Sequence, residues 1–288
     1  MIVPKIVITG GNGFIGTNLQ QMLVDHSPYH INIMELPFGD IQSFAQCRLD
    51  ILPSHVDILP SHAVVHLAAI PGIPNCKKDP HIAFNTNVSG TRNILGVLQY
   101  QNSGKIIFAS SGAAEESMSI YGATKRAAEE MIKGYYNDFG LECYILRFSN
   151  VYGPHSAHKT SFVTQMMKAA TSDKPLIVHG DGSQERDFIY VQDVCEAIVE
   201  AIKSPAVHCN PINIASGNRC SITELINIFL QVSKGTLKVC YKAEESPGVK
   251  FPPSVSLCDY HRDGIMHEIT SLESGLEKTW HWYQEHWE

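Results

Sequence analysis

The run Lys5-Ile6-Val7-Ile8-Thr9 passes directly into Gly10-Gly11-Asn12-Gly13-Phe14-Ile15-Gly16. A short β-branched run of this kind is the pattern of a strand buried on both faces, as in a parallel sheet. Phe14, Ile15, Leu19, Met22 and Leu23 then recur at helical spacing. A glycine loop between such a strand and such a helix constrains the fold more than any other feature of the chain. Gly10 suits a tight turn, Gly13 lets the backbone approach a pyrophosphate, and Gly16 lets the helix pack close to the strand. Phosphates would sit on the N–H groups of the helix N-terminus. Three glycines alone are a weak signal, but their place between strand and helix makes them a dinucleotide loop.

Further strand patterns follow at 31–35, more weakly up to Asp50, at 63–69, 105–110 and 142–148, with helical patterns at 82–100 and 121–139. Strands alternating with helices predict a doubly wound parallel α/β sheet. After about residue 150 the rhythm loosens. Two strand-like runs remain, 175–179 and 210–214, among helical patterns at 162–171, 191–203, 221–232 and 271–282. The expected organisation is a cofactor-binding Rossmann domain over 1–150, with 185–215 returning to it, and a small α/β lobe over 151–288 that binds substrate. The pentapeptide Ile-Leu-Pro-Ser-His at 51–55 and 58–62 stands alone and signals no repeat architecture.

Glu35 lies nineteen residues after Gly16, at the end of the second strand. A carboxylate there binds ribose hydroxyls and repels a 2′-phosphate. Leu36, Pro37 and Phe38 follow, with no cation to receive that phosphate, so NAD is expected rather than NADP. Asp50, after the third strand, is placed to reach the adenine amino group or to be a solvated loop acid.

Tyr121 and Lys125, in Tyr-Gly-Ala-Thr-Lys, stand one helical turn apart on one face. A phenol of pKa about 10 is a poor base at neutral pH. A neighbouring ammonium, together with the nicotinium charge, stabilises its phenolate. Ser111, at the end of the preceding strand, would hold a substrate hydroxyl beside it.

The formal charge of −7 and the lack of any Lys/Arg run argue against a nucleic-acid surface. No stretch has the length of a membrane span. The N-terminus runs straight into the first strand without a signal-type segment, so a cytoplasmic protein is expected. Eight cysteines, none at CxxC spacing, read as buried free thiols. Fourteen histidines form no HExxH or HxH cluster, and no metal is expected.

Together these residues resemble the extended short-chain dehydrogenase/reductases, the NAD-dependent epimerase/dehydratase group typified by UDP-glucose 4-epimerase and dTDP-glucose 4,6-dehydratase. The resemblance covers nearly the whole chain. Beyond the glycine loop and YxxxK it rests on His66-Leu67-Ala68-Ala69, Asn87-Val88-Ser89-Gly90-Thr91 and Leu146-Arg147-Phe148-Ser149-Asn150-Val151-Tyr152-Gly153-Pro154. It continues through Arg186-Asp187-Phe188-Ile189-Tyr190-Val191-Gln192-Asp193-Val194, Asn213-Ile214-Ala215-Ser216-Gly217 and Ser271-Leu272-Glu273-Ser274-Gly275-Leu276. The resemblance implies an NAD site of Gly10, Gly13, Phe14, Ile15, Gly16, Glu35, Asp50, Ile51, Leu67, Ala68, Ala69, Asn87, Tyr121 and Lys125. It implies catalysis by Ser111, Tyr121 and Lys125, and a nucleotide-diphosphate sugar held by Ser111, Asn150 and Arg186. For Arg186 the alternative is an ion pair with Asp187 or Asp193. The group also implies a homodimer through the YxxxK helix and a place in polysaccharide synthesis.

Two departures stand out. The family's Arg before Pro-Gly-Asp is matched by Ser246, in Glu244-Glu245-Ser246-Pro247-Gly248-Val249, with Arg219, Lys242 and Lys250 as possible substitutes. The connection between Ser111 and Tyr121 holds only nine residues, Gly112 to Ile120, so the family's longer sugar-contacting loop is missing. Glu115 and Glu116 stand near its start, either solvated or, for Glu115, against substrate. A 4,6-dehydratase needs an acid–base pair right after the catalytic Ser/Thr, and those positions are Gly112 and Ala113. The expected reaction is therefore 4-epimerisation through a transient 4-keto sugar. The alternatives are a dehydratase, decarboxylase or 4-ketoreductase, and, from another class, an NAD-binding regulator without turnover.

Overall fold

The computed structural model describes residues 5–26, 30–34, 63–101, 104–116, 118–172, 174–205, 208–235, 237–243 and 268–287. The expected third strand near Asp50, the site residues Glu35, Asp50 and Ile51, the repeated pentapeptide, and Glu244 to Lys250 with Ser246 lie outside them. The chain forms two compact units, Met1–Phe148 with Cys195–Asn213, and Ser149–Val194 with Ile214–Glu288.

The first unit is built on a six-stranded sheet. Its strands are β1 (Lys5–Thr9), β2 (His30–Met34), β3 (Ala63–His66), β4 (Lys105–Ser111), β5 (Glu142–Phe148) and β9 (His208–Ile214), in the order β2-β1-β3-β4-β5-β9. The pairings of β1 with β2 and β3, of β3 with β4, and of β4 with β5 are all parallel. The β-branched runs found in the sequence are the buried centres of these strands. Ile6, Val7, Ile8, Val64, Val65, Ile106 and Ile107 are all closed to solvent. One sheet face packs Val7, Val64, Ile106, Phe108, Cys143 and Ile145 against Ile94, Leu95 and Leu98 of the Thr91–Gln101 helix and Ala128 and Ile132 of the Ile120–Phe139 helix. Each such aliphatic side chain contributes about 1.5–3 kcal/mol on burial. From β1 the chain runs outward to β2, and β3 lies on the other side of β1. That reversal is the switch point where doubly wound sheets bind ligands, outside the strands' carboxyl ends.

Three expectations are corrected here. The helix expected over 82–100 is broken into a helix at Pro80–Phe84, a π-helical turn at Asn85–Gly90 and a helix at Thr91–Gln101. Asn-Thr-Asn-Val-Ser-Gly is a run of weak helix formers. The Thr91 hydroxyl also donates to the Asn87 carbonyl one turn back at 2.7 Å, a bond that distorts helices. The connection between Ser111 and Tyr121 is not a plain loop, since Ala113–Glu116 forms one helical turn. Of the six described cysteines, Cys76, Cys143 and Cys195 are buried, Cys209 and Cys220 are intermediate, and Cys240 is exposed.

The second unit holds four strands absent from the sequence expectation. These are β6 (Asn150–Tyr152), β8 (Glu185–Tyr190), β10 (Arg219–Ser221) and β11 (Val239–Lys242). β8 is the centre of a three-stranded sheet, parallel to β6 and antiparallel to β10, and β11 pairs in parallel with β7 (Leu176–His179). The Ile222–Val232 helix opens on a reciprocal cap between Ser221 and Glu224. No helix among the described residues is long and apolar enough to cross a membrane.

Candidate active site

At the switch point, Gly10 ends β1 with φ +72°, and a Cβ there would lie 2.8 Å from the Ala68 nitrogen. A Cβ on Gly16 would lie 2.4 Å from the Gly10 oxygen and 2.3 Å from that of Gly11. Only glycine allows this approach of the Phe14–His26 helix and the Leu67–Ala69 segment to the loop. A chain of hydrogen bonds fixes the arrangement from behind. The Ala68 N–H donates to Thr9 Oγ1 at 3.3 Å, and Thr9 Oγ1 lies 2.7 Å from His66 Nδ1. His66 Nε2 lies 3.0 Å from Thr91 Oγ1, whose proton goes to the Asn87 carbonyl. Thr91 must therefore accept, so His66 carries its proton on Nε2 and takes one from Thr9 at Nδ1. Burial, and then the charge of Lys125, hold His66 down to about 3, so the ring is neutral.

Asn87 projects from the π-helical turn. Its Oδ1 accepts from the Ile70 N–H at 2.8 Å, and its Nδ2 donates to the Ile70 carbonyl at 3.2 Å and to Thr124 Oγ1 at 3.0 Å. It thus ties the segment after β3 to the helix that carries Tyr121. The glycine loop, the helix it opens and the Leu67–Ala69 segment pack too closely to admit a side chain at Gly10 or Gly16, the close backbone approach of a dinucleotide loop.

The Ile120–Phe139 helix starts at Ser119, whose hydroxyl caps the Gly122 N–H, and ends at Gly140 in the left-handed region. It brings together the three residues expected to be catalytic. Ser111 lies close enough to Tyr121 to act on its phenol. Lys125 is buried, donates to the Ala109 carbonyl at 2.7 Å and lies 4.8 Å over the Phe108 ring. Burial pushes the Tyr121 phenol up to about 12, and Ser111 pulls part of that back. Burial lowers Lys125 to about 8, against the opposing pull of Cys76 and Glu129. The expectation that Lys125 lowers the phenol needs correction for the chain by itself. Its ammonium is turned to β4, and Ser111 is the group that favours the phenolate.

Sequence reasoning missed Glu129, Arg147 and Ser110. Glu129 is wholly buried, four residues beyond Lys125 on the same helix face. Arg147 of β5 grips it with Nε at 2.9 Å and Nη2 at 2.7 Å, and the Ser110 hydroxyl donates to it at 2.5 Å. The spacing Tyr121-Lys125-Glu129 was visible as one stripe. Only the fold brings Arg147 to it. Glu115, by contrast, is exposed.

In the second unit, the β6–β8 register pairs Asn150 with Phe188. Strand alternation therefore sets Asn150 and Arg186 on one face of that sheet. Asn150 Nδ2 donates to the Asp187 carbonyl at 2.8 Å. The Asp187 carboxylate accepts from the Ser149 hydroxyl at 2.9 Å and the N–H groups of Ser216 at 2.9 Å and Gly217 at 2.8 Å. Asp193 accepts from the Thr270 N–H at 3.2 Å and hydroxyl at 2.7 Å. The two acids weighed as ion-pair partners for Arg186 are thus engaged with loop groups. Burial and the nearby Arg219 guanidinium lower Arg186 from its usual value, so an anion beside it would be favoured. Arg219 itself faces Glu185 at 3.7 Å.

The fold is that of a dinucleotide-binding α/β protein, with Ser111, Tyr121 and Lys125 gathered at the end of β4. The model of the NAD dependent epimerase/dehydratase family matches residues 6–215, and the chain belongs to that family. A putative UDP-glucose 4-epimerase of Methanocaldococcus jannaschii is 32 % identical over 252 residues, 77 % of this chain and 80 % of the relative. A UDP-N-acetyl-alpha-D-glucosaminuronate decarboxylase of Bacillus cytotoxicus is 30 % identical over 329 residues, 98 % of each chain. Among solved structures, the UDP-glucose 4-epimerase of Thermus thermophilus in complex with NAD superposes with a TM-score of 0.84 at 22 % identity, covering 98 % of this chain and 99 % of that one. The family is one of NAD-dependent enzymes, with epimerases, dehydratases and decarboxylases of nucleotide sugars among the relatives.

Proposed function

We propose that the chain is a nucleotide-sugar 4-epimerase, with a UDP-sugar as substrate. The observation that carries the reading is the Ser111–Tyr121–Lys125 centre followed by Gly112 and Ala113, which cannot move a second proton. NAD, held by the glycine loop, Leu67 to Ala69 and the catalytic helix, supplies the hydride acceptor and donor. Ser111 holds the sugar hydroxyl, and Tyr121 as phenolate takes its proton while the carbinol becomes a ketone. Lys125, turned to the Ala109 carbonyl in the chain by itself, would bond the nicotinamide ribose once NAD is held. After the ketone presents its other face, Tyr121 returns the proton, and no further acid–base group is required. Asn150 and Arg186 hold the diphosphate, for which a planar guanidinium is suited. A homodimer through the Ile120–Phe139 helix, on which Phe139 stays half exposed, belongs to the same reading.

Decarboxylation is the second reading, favoured by the relative that matches the whole chain. Oxidation of a uronic acid at C4 gives a β-keto acid, which loses carbon dioxide with the same three residues. Proton NMR of the protein with NAD and a panel of UDP-, dTDP-, GDP- and CDP-sugars separates them. A new anomeric doublet with no net NADH is expected. A pentose or keto product overturns epimerisation, and no change with any sugar while NAD binds favours the regulator.

A further inference from the structure

Three consecutive residues at the end of β4 are each bonded to the same helix face. The Ala109 carbonyl takes the Lys125 ammonium, the Ser110 hydroxyl bonds Glu129, and Ser111 stands beside Tyr121 and acts on its phenol. Helical side chains lean toward the N-terminus, so Glu129 reaches back along the stripe toward the strand end. Its charge is balanced by Arg147, the β5 residue that pairs with Ser110 in the sheet register. The acid touches neither the cofactor cradle nor the Tyr121 hydroxyl. A buried ion pair adds little stability over apolar residues of similar volume, so stability alone does not account for it.

We propose that the Glu129–Arg147 pair, acting through Ser110, is a positioning element. It fixes the register between β4 and the Ile120–Phe139 helix, and with it the placing of Ser111 beside Tyr121. The inference rests on the reading of Tyr121 as the acid–base group. The groups that act electrostatically on this stripe and on its arginine are Cys76 on the Ile73–Lys78 helix, His66 on β3, Arg147 on β5 with Glu115 and Glu130 near it, and Lys125 and Glu129 themselves. A test must therefore leave the net charge alone. Both S110A and the double variant E129M/R147M do so, because the second removes one charge of each sign.

The test is titration of the tyrosinate ultraviolet absorbance of NAD-loaded protein, with Y121F as the blank. The nicotinium charge lowers the phenol toward a range where the fold survives. Loss of register draws Ser111 away from the phenol. The Tyr121 pKa is then expected to rise in both variants by about half to one pH unit, the shift set by one neutral hydrogen bond. NAD affinity stays at the wild-type value. A wild-type titration in both variants overturns the proposal, leaving the pair a packing feature. If E129M/R147M does not fold, S110A decides by the same two outcomes. The readout needs no turnover, so a sugar panel that fails overturns the proposed reaction without touching this result.

Discussion

In the first unit each buried charge is tied down, Lys125 by a β4 carbonyl, Lys105 by carbonyls at the end of the Val191–Lys203 helix, and Glu129 and Arg147 by one another. In the second unit the buried acids Asp187 and Asp193 bond loop N–H groups and hydroxyls, and Arg186 stays half-buried on the face it shares with Asn150. If, as proposed, the first unit moves protons, its charges serve the alignment within a hydrogen bond's length that transfer demands. If the second holds a diphosphate, Arg186 supplies the cation while the acids hold the frame.

The contrast predicts a ranked set of effects. The largest is Tyr121→Phe, expected to lower kcat by about 10²–10⁴-fold with NAD affinity retained. Turnover by NMR measures it, and undiminished activity removes Tyr121 from catalysis. Next is Arg147→Met alone, which strands the Glu129 carboxylate and should cost about 3–5 kcal/mol in denaturant unfolding. A loss below about 1 kcal/mol would mean that water reaches the acid.

Third is acid sensitivity through His66. Its folded pKa, about 3, lies below the unfolded value of 6.5. Below 6.5 the unfolded chain binds the extra proton. The stabilisation is therefore complete above 6.5 and is lost as pH falls toward about 3, at up to about 1.4 kcal/mol per pH unit. Unfolding of His66→Gln across that window should show a flatter slope, and an identical slope would assign the acid limb to other groups.

Fourth is Arg186→Ala, expected to weaken a UDP-sugar by about 10- to 100-fold in calorimetry while NAD binding is unchanged. Equal losses for both ligands would contradict the division of labour. Smallest is Arg126→Ala, which removes an exposed pair with Glu130 at 2.9 Å and should move stability by no more than about 0.5 kcal/mol.

What the sequence made legible were the features whose chemistry is local. The glycine loop and the Tyr121–Lys125 turn announce themselves within a few residues, because tight turns and helix faces are short-range. β6 and β10 have three residues each, and β8 begins with Glu-Arg-Asp, so no apolar alternation marks them. They are strands because they pair with one another. The same holds for Glu129: an acid on a helix reads as solvated until a strand end and an arginine 18 residues away enclose it. The π-helical turn was hidden because its cause is a side-chain bond from Thr91 to a carbonyl.

The Lys105 ammonium, buried at the start of β4, donates to the carbonyls of Ala201, Ile202 and Ser204 at the end of the Val191–Lys203 helix. Its acceptors come nearly a hundred residues later, after the Ser149–Val194 segment of the second unit. On the ribosome, a chain that has reached only Phe148 has β5 without its β9 neighbour and a lysine without its carbonyls. Such an open edge is a template for wrong pairings. Vectorial synthesis therefore cannot complete the first unit first. The first unit closes only when the intervening Ser149–Val194 segment has been made, which couples the maturation of the two units and should make a fragment ending at residue 148 prone to aggregate.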